Sequence, residues 1–138
     1  MMNAVRMIVV GAALALVACG GPMKYNIAST SRAPGADARI VADVKKDQNV
    51  TQLQVAVANL APPGRVVDGA QHFVAWYRPN GSSPWSRVAS MKYDEGARKA
   101  ELSGSVPAIE FDFEVSAEKD AAVASPSADI VLTQRVGS

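Results

Sequence analysis

The sequence predicts an all-β protein: an antiparallel β-sandwich of immunoglobulin-like type, with seven or eight strands, following a cleaved signal peptide. Three observations carry that prediction. From Arg39 onward apolar and polar residues alternate with a period of two, the pattern of half-buried strands. Gly, Pro, Asn and Asp interrupt the alternation at intervals of about 8 to 15 residues, as turns between short strands do. No stretch beyond the first 20 residues repeats its apolar positions at helical spacing.

The strands follow in order. Ile40, Ala42 and Val44 point one way while Arg39, Asp43 and Lys45 point the other. Asp47-Gln48-Asn49 then turns the chain, and Leu53, Val55 and Val57 alternate with Gln52, Gln54 and Ala56. His72 to Arg78 is apolar on both faces, with Phe73, Ala75 and Tyr77 against Val74 and Trp76, which suits a central strand. Pro79 to Pro84, with Asn80-Gly81 at its heart, predicts a hairpin whose returning strand is Trp85 to Tyr93. Asp94-Glu95-Gly96 turns into Arg98 to Leu102, and Ser103 to Pro107 interrupts the chain again. Ile109 to Val115 alternates most clearly, its Glu110, Asp112 and Glu114 predicting a solvated row neutralised by Lys92, Arg98 or Lys99. Asp129 to Val136 closes the domain, with Ile130 and Leu132 inward.

Ala61-Pro62-Pro63-Gly64 cannot extend a ladder because proline lacks the donor, so residues 61 to 71 form a long connection. That connection and the small-residue loop at 117 to 128 read as crossings between two sheets, which favours a sandwich over a small up-and-down barrel.

The N-terminal segment is an address. Met7 to Val17 is uncharged and follows Arg6, but it is shorter than the about 20 apolar residues a membrane-crossing helix needs. It ends in Leu16-Val17-Ala18-Cys19, which resembles the lipobox of bacterial lipoproteins. The resemblance implies cleavage between Ala18 and Cys19, diacylglycerol on the Cys19 thiol and a further acyl group on the new amine. Each buried CH₂ contributes about 0.8 kcal/mol, so two or three acyl chains hold a protein on a membrane that it does not span. Gly20, rather than an aspartate, follows the cysteine, and in such lipoproteins this favours the outer membrane over the inner. The expected organisation is a signal peptide at 1–18, a lipidated N-terminus and flexible tether at 19–38, and a sandwich at 39–138. A tether of that length reaches about 23 Å if flexible, and only a few residues if Tyr25 and Ile27 open a first strand.

Composition narrows the function. The 138 residues include 14 basic and 13 acidic side chains, and loss of Arg6 with the signal leaves them balanced. Without a basic stripe there is nothing for nucleic acid to grip, so membrane contact rests on lipid. Cys19 is the single cysteine, which leaves no disulfide and no thiolate metal site. His72 is the single histidine, too few for a multi-histidine metal site, and reads as a residue capping a core strand. No GxSxG, HExxH, GxGxxG or P-loop pattern occurs, so no catalytic residue, metal or cofactor is assigned.

Trp76, Tyr77 and Trp85 flank the Asn-Gly turn. One strand cannot aim both of its faces into the same inter-sheet space, so part of this cluster is expected outside the core, as an anchor for a protein or glycan partner. Phe73 to Pro79, with the following turn and Phe113 to Glu118, is similar to the extracytoplasmic β-domain of anti-sigma factors. The sigma-binding segment and transmembrane helix of that family are missing here, so the resemblance implies the sandwich shape alone. The sequence thus points to an envelope lipoprotein with a non-catalytic module that binds or assembles with an envelope protein or cell-wall polymer. The alternative is an envelope hydrolase with a non-local site near His72.

Overall fold

A computed structural model describes residues 21–137, and they form an antiparallel β-sandwich. Its strands are β1 (Met23–Ala28), β2 (Asp37–Lys45), β3 (Val50–Ala58), β4 (His72–Arg78), β5 (Ser86–Ser90), β6 (Lys92–Asp94), β7 (Lys99–Val106), β8 (Phe111–Glu118) and β9 (Ile130–Val136). One helical turn, α1 (Pro63–Val66), sits in the connection after β3, with Pro63 at its start where a missing N–H costs nothing. The five-stranded sheet A has the order β1-β2-β3-β7-β6, and the four-stranded sheet B the order β5-β4-β8-β9. With β1 set aside these are the A-B-E-D and C′-C-F-G orders of an immunoglobulin-like sandwich.

The core lies where the inward residues of the two sheets meet. Ile40, Leu53, Val55 and Val57 from sheet A face Phe73, Phe111, Phe113, Val115 and Leu132 from sheet B, all buried. Each such side chain contributes about 1.5 to 3 kcal/mol on burial, and here no disulfide among the described residues supplements that term. Two edge-to-face contacts tighten it, Phe73 with Tyr93 at 5.4 Å and Tyr77 with Phe111 at 6.1 Å between ring centroids.

Several boundaries differ from the sequence reading. Residues 23–28 are not part of a tether: β1 pairs with β2 from Met23↔Ala42 to Ala28↔Asp37, so the folded domain begins well before residue 39. Tyr25 and Ile27 are the inward residues that hold it there. The strands number nine because the run from Trp85 to Tyr93 divides at Met91. Its first half pairs with β4 and its second with β7, and the Met91 N–H donates to Phe73 O at 2.8 Å as the chain changes sheets. Strand β7 continues through Ser103 and Ser105 to Val106, because pairing with β3 outweighs their weak strand preference. The 117–128 loop is no crossing: it joins β8 to β9 within sheet B. The crossings are the 59–71 connection, Met91 and residues 107–110.

A register shift between Val115 and Ser116 places Ile130, rather than Val131, opposite Ser116. The extra residue on β9 turns Val131 into the core and leaves Ile130 only half-buried, the reverse of the simple alternation. The Asn80-Gly81 turn is also of another kind. Asn80 Oδ1 accepts from Ser82 N at 3.0 Å and from the Ser82 and Ser83 hydroxyls, and Gly81 does not adopt a positive φ.

The strand registers also define the two ends of the sandwich. At the end where β1 begins lie the β2–β3 turn, the β4–β5 turn, residues 107–110 and the end of β9, since Leu53 pairs with Gly104, Arg78 with Asp112 and Phe111 with Val136. Two hydrogen bonds close that end: Gly137 N–H donates to Tyr25 Oη at 3.1 Å, and Thr51 Oγ1 donates to Ala108 O at 2.7 Å. The opposite end carries residues 29–36, 59–71, 95–98 and 119–129.

Candidate functional site

The aromatic cluster expected to be a docking surface is taken apart by the fold. Trp76 lies on the outer face of sheet B, opposite Glu114 and Arg87, yet it is 0% exposed. The β8–β9 loop encloses it. Ala121 O accepts from Arg87 Nε at 3.0 Å and Ser127 N–H donates to Glu118 Oε2 at 2.8 Å, which draws the loop across that face. Tyr77 points inward against Phe111. Trp85 is half-buried under Arg78, whose guanidinium carbon sits 4.3 Å from the ring centroid. An exposed three-residue anchor is therefore absent. Cys19 and Ala18 lie outside the described residues.

Beneath the loop runs a buried polar relay. Trp76 Nε1–H donates to Ser116 Oγ at 2.9 Å, and Ser116 donates to Glu118 Oε2 at 2.6 Å. A buried indole N–H requires an acceptor, and a serine in a row otherwise apolar or acidic supplies one. Glu118 in turn is held by the Ser127 amide. The outer row of β8 is thus no solvated face: Glu114 and Glu118 are each only 7% exposed. Of the predicted row, Glu110 is exposed just ahead of β8, as expected, and Asp112 is a partly exposed carboxylate flanked by Arg78 Nε and an Arg135 guanidinium nitrogen at 3.1 Å each, so the expectation fails at Glu114. The lysines expected to neutralise the row, Lys92 and Lys99, belong to sheet A, and Arg98 lies in the turn before β7. Burial pushes the Glu114 carboxyl up to about 7; Arg78 opposes that shift, and Asp112 and Glu118 reinforce it.

His72 opens β4 opposite Glu118, with Ser116 two residues further along β8, so histidine, carboxylate and serine do converge. They do not form a nucleophilic site. Ser116 is 0% exposed and its oxygen is engaged by Trp76 and Glu118, leaving a substrate carbonyl no approach. Among the described residues no group of His, Cys, Asp or Glu is placed to hold a metal ion, and no helix is long and apolar enough to cross a membrane.

Among the described residues, nothing covers the outer side of sheet A. Three adjoining depressions of about 500, 650 and 470 Å³ run along it from the Ala28 end to Pro22. The first and second share Arg39, Ala56 and Glu101; the second and third share Val41, Gln54 and Ser103, so the surface is one shallow trough. Its floor is low because Ala56 and Ala58 on β3 and Ser103 and Ser105 on β7 carry short side chains. Register sets its charges: Arg39 and Glu101 flank Ala56, while Asp37 and Lys99 flank Ala58 with the opposite polarity. Neighbouring strands are about 4.8 Å apart, so each pair spans roughly 10 Å across the floor. Gln52, Gln54 and Asn26 add amides. Such a surface suits an extended chain bearing amides, hydroxyls and charges of both signs.

The alternation of Gln52, Gln54 and Ala56 was visible along β3, but not that it would lie beside the serines of β7 about 50 residues later. Comparison of the chain with protein-family models, with curated proteins and with solved structures finds no match.

Proposed function

We propose that the chain is a lipid-anchored binding module of the bacterial cell envelope, held at the outer membrane through Cys19 and taking a partner on the open face of sheet A. The reading of the anchor rests on Leu16-Val17-Ala18-Cys19 following a short apolar run. The reading of the module rests on one observation: among the described residues the two outer sheet faces differ, one roofed by its own loop and the other an open trough edged by charged and amide side chains. The partner is an envelope protein or a cell-wall polymer, presenting an extended segment rich in amides and hydroxyls.

Acyl labelling and site-specific photo-crosslinking test the two halves separately. Growth with labelled palmitate should tag the chain, and Cys19→Ala should lose the tag together with membrane retention. A photoreactive residue in place of Ala56 should capture a protein or muropeptide in cells, whereas one at Ala124, on the roof of sheet B, should not. Equal capture at both positions, or capture only at Ala124, would overturn the assignment of the trough.

A further inference from the structure

We infer that the end of the sandwich at which β1 begins is a membrane-contacting surface, with Trp85 and Ile109 seated among the headgroups of the bilayer that holds the chain. The inference rests on acylation of Cys19 and extends it by naming the face of the protein that the lipid meets.

Chain length supplies the first argument. Only Gly20, Gly21 and Pro22 separate Cys19 from Met23, where β1 is already paired to Ala42. Fully extended, that segment spans at most about 14 Å, roughly the width of three strands, so an acylated cysteine keeps this end of the domain at the lipid surface. A flexible tether from 19 to 38 would have let the domain turn freely. The strand β1 removes that freedom.

The residues gathered at this end supply the second. The connection from Pro79 to Ser86 contains no charged side chain, and it closes on Trp85. Ile109 lies only partly buried in the adjoining 107–110 connection, close to the end of β9. Loops at the opposite end carry more charge, with Glu95 and Arg98 in one and Lys119 and Asp120 in another, against Lys46, Asp47 and Glu110 at this end. Tryptophan is favoured at the membrane–water boundary because its ring is apolar and its N–H is not. Here the Arg78 guanidinium sits 4.3 Å above the ring with its Nε paired to Asp112, so the indole is held in place at this end. Lys24 and Lys46, exposed at the same end, have no carboxylate within ion-pair distance among the described residues. Indole at the boundary with cations beside it is the arrangement that a phospholipid surface recognises.

The two tryptophans give the experiment its own reference, because Trp76 is enclosed and Trp85 is not. The full acylated chain is placed in vesicles of phosphatidylethanolamine and phosphatidylglycerol, with or without bromine on the acyl carbons nearest the headgroup. Loss of Trp85 emission, absent in Trp85→Phe, is the expected result, while Trp76 emission persists in both. With Cys19 acylated, Ser82→Cys and Asp120→Cys each create a unique thiol for a polarity-sensitive dye. The label at 82 should shift to the blue on vesicles and the label at 120 should not. A chain that floats with vesicles while Trp85 stays unquenched and label 82 unshifted overturns the contact surface and leaves the anchor standing. Quenching that survives in Trp85→Phe also overturns it. A chain that fails to float and carries an unmodified Cys19 mass removes the anchor, and the contact surface with it.

Discussion

Gly137 is the position where a single methyl group decides most. Its φ of +103° lies in the left-handed region, and a Cβ built on it falls 2.5 Å from the Ile109 carbonyl oxygen, a backbone atom that cannot swing aside. Gly137→Ala should therefore lower stability by about 1 to 3 kcal/mol, seen as a reduced denaturation midpoint with an unchanged slope. Glu114 makes a different prediction. Its carboxyl is held near 7 in the folded protein against an ordinary value of 4.5, so folding favours the protonated form. The stabilisation is complete below about pH 4.5 and is lost as pH rises through about 7. Glu114→Gln, which mimics the protonated acid, should be more stable than the wild type by about 1 to 3 kcal/mol at pH 8 and equal to it at pH 4. A wild-type advantage at pH 8, measured by urea unfolding at both pH values, would contradict this account.

The β8–β9 loop shows what one buried carboxylate does for an element. Glu118 Oε2 accepts from both Ser116 and Ser127, so it joins the strand to the loop that roofs Trp76. Glu118→Ala leaves two donors without an acceptor and should cost about 2 to 4 kcal/mol, since bonds to charged groups each contribute about 1.5 to 3. The distinguishing signature is local: amide exchange should accelerate at residues 121–127 and Trp76 emission should move to the red, while β2 and β3 remain protected. The strand β1 illustrates an edge element, held by its ladder to β2 and by the packing of its inward residues. Tyr25 and Ile27 pack against the core, and Tyr25 Oη takes the Gly137 amide. Tyr25→Phe should weaken this edge by about 1 kcal/mol and loosen β1 and the end of β9 together.

For the molecule as a whole, the sole cysteine at position 19 means that cohesion comes from packing and hydrogen bonds. The thermal midpoint should be the same with and without a thiol reductant, and circular dichroism and tryptophan emission should report a single transition. A lower midpoint under reduction would reveal a disulfide to a second chain. The two ends and the two faces of the sandwich then divide the proposed work: one end toward lipid, one face open to a partner, the other sealed by the 119–129 loop.

The alternation of Ile40, Leu53, Val55, Phe111 and Phe113 was enough to establish strands and a sandwich, because a period of two translates directly into an inner and an outer face. The Leu16-Val17-Ala18-Cys19 segment and its lone thiol are likewise features of the chain itself. Other features depended on partners distant in sequence. Met91 changes sheets because β4 ends its reach and β7 begins, Val131 displaces Ile130 because of a bulge across from Ser116, and β7 passes through a glycine and two serines because β3 lies beside it. The face bearing Glu114 and Trp76 looked ready for water, and only the loop laid over it made it dry. Alternation states that a residue faces away from the core; what then covers that residue is decided by parts of the chain that local pattern does not reach.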